Sequence, residues 1–117
     1  MKKLLFFALS LLFSAALFAQ NAAPKKPVTV SFKVEGNCGM CKSRILSVLD
    51  TKGVKRATWD SNTEMATVTY LPAVITEDKL HQLVANAGHS TEKVKAKQAT
   101  IDALPLCCQP GHGHHKD

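Results

Sequence analysis

The chain has 117 residues, 45% of them hydrophobic, and a formal net charge of +6 at pH 7. That length suits one small domain rather than several. Its lysines are scattered, and beyond the N-terminal segment Phe32, Trp59 and Tyr70 are the only aromatics, so the charge reads as solvated surface and not as a nucleic-acid footprint.

The first segment is MKKLLFFALSLLFSAALFAQ. Lys2 and Lys3 precede an apolar run from Leu4 to Ala19, and a polar residue follows. A charged start, an apolar stretch and a small residue at the boundary predict a secretory signal peptide over residues 1–19, cut after Ala19. The run is short for a membrane span and lacks stop-transfer charges, so an uncleaved anchor is the weaker reading. No cysteine lies near the cut, which argues against a lipid anchor. Residues 20–27, QNAAPKKP, read as a flexible leader.

Val28, Val30, Phe32 and Val34 then alternate with polar residues, which predicts a half-buried strand. Residues 36–40 form a loop, and from 41 to about 51 Ile45, Val48 and Leu49 recur at helical spacing. Gly53 is the expected stop for that helix. A hairpin follows: residues 54–60, with Ala57 and Trp59 on one face, then residues 65–71, with Ala66, Val68 and Tyr70 inward. Asp60, Ser61, Asn62 and Thr63 supply its turn. Thr76 is an N-cap, with Glu77 and Asp78 in the first turn of a second helix carrying Leu80, Leu83, Val84 and Ala87. His81, beside Leu80, is expected on that helix's outer surface, and Gly88 closes the helix. Residues 89–95 predict a fourth, polar edge strand.

The order β-α-β-β-α-β predicts an α+β fold, a ferredoxin-like βαββαβ sandwich with a four-stranded antiparallel sheet and two helices on one face. It spans residues 28–95. Residues 96–117 form a Cys- and His-containing tail, with one short helical turn expected near 101–104. Leu104, Pro105 and Leu106 are candidates to anchor it on the domain.

The four cysteines are Cys38, Cys41, Cys107 and Cys108. An even count in a small exported chain usually means disulfides. A C-x-x-C pair and an adjacent pair close no long loop, however, so they make poor staples and are better suited to holding a metal or exchanging electrons. Cys38 and Cys41 are three positions apart, with one of them at a helix N-terminus, whose free N–H groups and dipole favour thiolate over thiol. Gly36 and Gly39 let that loop bend. Thiolates are soft ligands that select Cu(I), Zn(II) or heavier soft ions. Two sulfurs suit a linear or trigonal Cu(I) or Hg(II) site, whereas structural zinc wants four ligands. Lys42 follows the pair where covalent haem attachment needs histidine. Met40 and Met65 are too few for a methionine ladder, and Met65 and Trp59 read as strand and core residues.

The segment 28–95, with VEGNCGMCKSRILSVL after its first strand, Gly53-Val54 at its second and Ala87-Gly88-His89 after its second helix, resembles the heavy-metal-associated domain. That is the fold of small copper chaperones, of the periplasmic mercury-binding protein and of metal-ATPase N-terminal modules. The resemblance implies Cys38 and Cys41 as metal ligands. Relatives carry a methionine before the pair, packed under the loop; here the loop is one residue shorter and Met40 lies inside the pair. His89 stands where bacterial relatives carry an aromatic. In the predicted fold the loop holding His89 lies beside the metal loop, so it is a candidate third ligand or thiolate partner, or else a surface histidine. Cys107 and Cys108 are candidates to complete the site, bind a second ion or form disulfides; the GHGHH tail reads as a loose metal scavenger.

The expected function is therefore non-enzymatic: an exported carrier that captures a soft ion, foremost Cu(I), with Zn(II) or Hg(II) as alternatives, and passes it on by ligand exchange. The expected partner is a metal-transporting membrane protein or another metal acceptor, and the chain is expected to be a monomer, with a metal-bridged dimer as the alternative. The periplasm is preferred to the external medium, because a shuttle needs membrane partners nearby. The competing reading is a periplasmic thiol–disulfide oxidoreductase using the same pair. A third is a small sensor or docking domain.

Overall fold

The structure is a computed structural model and describes residues 26–110. The expected signal peptide, most of the leader and the GHGHH tail lie outside the described residues.

Strand β1 (Val28–Lys33) leads through a short loop into helix α1 (Gly39–Leu49). A hairpin of β2 (Val54–Trp59) and β3 (Met65–Tyr70) follows, then α2 (Glu77–Asn86), the short α3 (Gln98–Asp102) and a 3-10 turn at Leu106–Cys108. The sheet is antiparallel in the order β1-β3-β2. Phe32 and Trp59 both pair with Ala66 across β3, so two large rings flank a small residue. The alternation seen in the sequence places Phe32, Trp59, Ala66, Val68 and Tyr70 in the core, against Ile45 and Leu49 of α1 and Leu80 and Val84 of α2. The other face carries hydroxyl pairs: Thr29 to Thr69 at 2.9 Å and Ser31 to Thr67 at 3.1 Å.

Local signals act largely as their chemistry dictates. The Asp60 carboxylate accepts from the N–H groups of Asn62 and Thr63 and turns the hairpin. The Thr76 hydroxyl accepts from the Lys79 N–H at 3.1 Å, which caps α2. Gly53 has a different task from the expected one. Helix α1 has already ended at Leu49, with the Asp50 N–H bonded to the Leu46 carbonyl. Gly53 adopts φ +97°, and a side chain there would come within 2.9 Å of Val74 and Ile75. It is needed where the α1–β2 connection passes under the loop before α2.

The expected four-stranded sheet is not formed: the sheet has three strands among the described residues. Where the fourth would lie, Val34 and Thr91 make one isolated antiparallel bridge, and the Glu35 N–H reaches the Ser90 carbonyl at 2.8 Å. The cause is Thr91 itself. Its hydroxyl accepts from the N–H groups of Lys93 and Val94, and its own N–H bonds the Val94 carbonyl. That local turn bends the chain away after a single ladder position.

A second correction concerns His81. It is fully buried, not on the outer surface. The buried positions of α2 are Leu80, His81, Val84 and Ala85, while Leu83 and Ala87 are only half-buried. The helix face is thus turned by about one residue from the apolar stripe. His81 stacks on Phe32, ring centroids 4.0 Å apart, and its Nδ1 lies 2.6 Å from the Thr91 hydroxyl. That oxygen already accepts two amide protons, so its own proton goes to Nδ1, and His81 carries its proton on Nε2.

The tail also differs from expectation. In place of one turn it has two helical pieces, and it folds back onto the domain. Leu104 enters the core, 4% exposed, beside Gly88, whose φ is +103°. A side chain at Gly88 would meet Leu104 at 2.9 Å. Leu106, the other expected anchor, is 69% exposed.

Candidate metal centre

The loop between β1 and α1 sets the site. Gly36 is buried under Trp59, and a Cβ there would sit 2.8 Å from the indole ring. Trp59 in turn donates its indole N–H to the Val34 carbonyl at 3.0 Å, which fixes the loop's entry. Cys38 then takes extended backbone angles and serves as the N-cap of α1. The helix therefore starts before Cys41, which lies in its first turn. Both cysteines belong to one helix N-terminus, three positions apart and on one side.

Their sulfurs are 3.8 Å apart. Cys41 is fully buried and Cys38 half-buried, and all four cysteines are free thiols. Burial pushes the Cys38 thiol up, but it is outweighed by the Cys41 N–H, the Cys107 thiol, the Met40 N–H and the Cys41 thiol, which bring it down to about 7. The two N–H groups face the sulfur without closing a capping bond. Cys38 is thus partly thiolate at neutral pH.

The C-terminal segment completes the picture. The Asn37 amide donates to the carbonyls of Cys107 at 3.3 Å and Gln109 at 2.8 Å. The Gln109 amide returns to the carbonyls of Asp102 and Leu104. These bonds seat Cys108, 3% exposed, at the site. The sulfurs of Cys38, Cys41 and Cys108 all lie within 4.8 Å of one another. Burial and the neighbouring Cys41 thiol push the Cys108 thiol well above the usual range.

Of the predicted site residues, the structure brings these three together. Cys107 is not in the trio. Its thiol points to the Met40 sulfur at 3.7 Å, and its carbonyl lies 3.7 Å from the Cys38 sulfur. Its hydrogen bond to Cys38 raises its own thiol pKa. Met40 is 52% exposed, so it does not pack under the loop as the family methionine does. His89 is buried but outside the trio; its Nδ1 donates to the Glu35 carbonyl at 2.9 Å, which leaves an unprotonated Nε2 with no hydrogen-bond partner among the described residues. Asn37 was not singled out from sequence. Its signal was its place in the shortened loop, where an amide side chain can reach two backbone carbonyls.

The donor set fits a soft cation. A metal–thiolate bond near 2.3 Å in a trigonal plane sets sulfurs about 4 Å apart; the Cys38 and Cys41 sulfurs are 3.8 Å apart and all three lie within 4.8 Å of one another.

The heavy-metal-associated domain family matches residues 28–90. No curated protein sequence matches the chain. Among solved structures, one described as "Crosstalk between Cu(I) and Zn(II) homeostasis" is 27% identical, covers 56% of this chain and 96% of that one, and superimposes with a TM-score of 0.52. Oxidised MerP from Ralstonia metallidurans CH34 is 26% identical over 56% of this chain and 94% of its own, TM-score 0.53. A CopZ metallochaperone is 24% identical over 55% and 98%, TM-score 0.53, a likeness of fold. The tail that carries Cys107 and Cys108 lies outside the matched segment. By its β-α-β-β-α order, its C-x-x-C loop and this match over more than half its length, the chain belongs to the heavy-metal-associated domain family.

Proposed function

We propose that the protein is an exported, non-enzymatic carrier of a soft metal ion, foremost Cu(I), held by Cys38 and Cys41. The observation that carries this reading is the pair of free thiols at the N-terminus of α1, 3.8 Å apart, one buried and one half-buried. Soft thiolates without imidazole or carboxylate in the cluster favour Cu(I) over harder cations. The relative described in terms of Cu(I) and Zn(II) homeostasis supports the same class.

Transfer follows from the exposure of the site. An acceptor thiolate attacks the bound ion from the solvent side, next to half-buried Cys38. Its sulfur–metal bond forms as the Cys38–metal bond breaks, and the departing thiolate is at ease near neutral pH. No change of oxidation state is needed. Exposed Lys42 and Arg44 flank the pair, which suits an acidic face on a metal-transporting membrane protein or other acceptor. Residues 1–19 support export, with the periplasm as the compartment.

The test is an anaerobic Cu(I) titration of the reduced protein against a competing chelator. Tight one-to-one binding should vanish in the Cys38→Ser, Cys41→Ser double variant; unchanged affinity there refutes the reading. One observation favours the oxidoreductase alternative: the lowered thiol of Cys38 beside a buried partner is also the arrangement of a redox pair. Turnover in an insulin-reduction assay would establish it, and none is expected.

A further inference from the structure

Residues 98–110 form a strap that begins outside the matched domain and ends on the metal loop. Four features hold it there. Leu104 is inserted beside Gly88, Asn37 grips the Cys107 and Gln109 carbonyls, the Gln109 amide closes the strap on itself, and Cys108 is buried against Cys41.

The Cys38–Cys41 geometry has room for a third donor. With bonds near 2.3 Å, a linear two-thiolate ion separates its sulfurs by about 4.6 Å, and a trigonal one by about 4.0 Å. The 3.8 Å between the two free thiols is nearer the trigonal spacing than the linear one. Cys108 stands within reach of both sulfurs, on the side the strap covers. Its anchoring differs from that of α1. The loop pair is built into the first turn of a core helix, whereas Cys108 hangs on a 3-10 turn held mainly by one asparagine and one leucine.

We propose that the strap is a detachable ligand arm: Cys108 completes a three-thiolate site for Cu(I) when the strap is docked, and undocking it leaves the two-thiolate site from which the ion departs. This rests on the soft-metal reading of Cys38 and Cys41. On capture, the Cys108 thiol gives its proton to solvent as its sulfur binds the ion. On release, its metal bond breaks, the thiolate takes a proton back, and an acceptor thiolate occupies the vacated position. The copper stays Cu(I) throughout.

The experiment uses X-ray absorption to count sulfurs around one equivalent of Cu(I) in the full chain. It also times Cu(I) transfer to a chelating acceptor. The wild type should show three sulfurs. Cys108→Ser should show two, with transfer roughly tenfold faster. Asn37→Ala, which keeps every thiol but removes both strap hydrogen bonds, should keep three sulfurs and transfer faster than wild type. Two sulfurs in the wild type, a measurement that needs no variant, overturns the arm while leaving the carrier reading intact. So does a Cys108→Ser protein that transfers at the wild-type rate. Absence of copper–sulfur coordination altogether overturns both.

Discussion

Mild acid should destabilise the metal-free protein because two neutral imidazoles are locked inside it. His81 and His89 are 0% and 1% exposed. Burial is the leading cause that lowers both pKa values. Around His81, Glu77, Glu92 and Asp78 pull the other way and Lys93 adds to the lowering; around His89 the Glu35 carbonyl opposes and Arg44 adds. In the unfolded chain both rings titrate near 6.5. Above that pH the rings are unprotonated in both states and cost the fold nothing. Below it the unfolded state binds protons that the folded state refuses, so stability falls as pH falls. Between pH 7.5 and 5.5 each lowered ring can cost at most about 1.4 kcal/mol, the limit for a ring that stays neutral throughout, and the two together at most about 2.7 kcal/mol. That is a large share of the roughly 5–15 kcal/mol of a typical domain. The assay is urea unfolding of the reduced chain, followed by fluorescence of Trp59, the single tryptophan, which is 2% exposed. The midpoint should fall as the pH is lowered over that range. His81→Leu should remove part of the pH dependence; the rest comes from His89 and from the Cys38 thiol, which also takes up a proton in this range. A midpoint that is flat, or that rises on acidification, would show that the rings are not held neutral.

Other perturbations follow from single contacts. Trp59→Phe removes the indole N–H bond to the buried Val34 carbonyl and should cost about 1–3 kcal/mol in urea unfolding, with the metal loop loosened. Gly88→Ala combines a positive φ with a clash against Leu104, so it should destabilise by about 1–3 kcal/mol and speed hydrogen exchange across residues 98–110 first. Thr76→Ala should cost about 1 kcal/mol through loss of the α2 cap. In the metal-free protein at pH 7, iodoacetamide should label Cys38 ahead of Cys107, whose thiol is raised, and both ahead of buried Cys41 and Cys108; mass spectrometry reads the order.

Features written in local periodicity were legible in the sequence. The alternation of β1, the hairpin with its Asp60 turn, the Thr76 cap and the C-x-x-C loop each depend on residues a few positions apart. What escaped depends on contacts between distant residues. Residues 89–95 look like an edge strand until Thr91 is seen to tie its own neighbours into a turn. His81 looks like surface because periodicity marks Leu80, Leu83 and Val84. Its burial depends on a ring from β1 and a hydroxyl ten residues on. The role of Cys108 needed the pairing of Leu104 with Gly88 and of Asn37 with two carbonyls some 70 positions away. Adjacent cysteines look alike in sequence; only the 3-10 turn decides that Cys108 faces inward and Cys107 faces Met40.

The central claim is that one soft ion sits between the two loop thiols. Alkylation footprinting after one equivalent of Cu(I), added anaerobically to the reduced full chain, tests it directly. Cys38 is predicted to become unreactive while Cys107 still labels; Cys41 is already shielded by burial. If Cys38 labels as fast as in the metal-free protein, the ion is bound elsewhere and the loop pair is not the site.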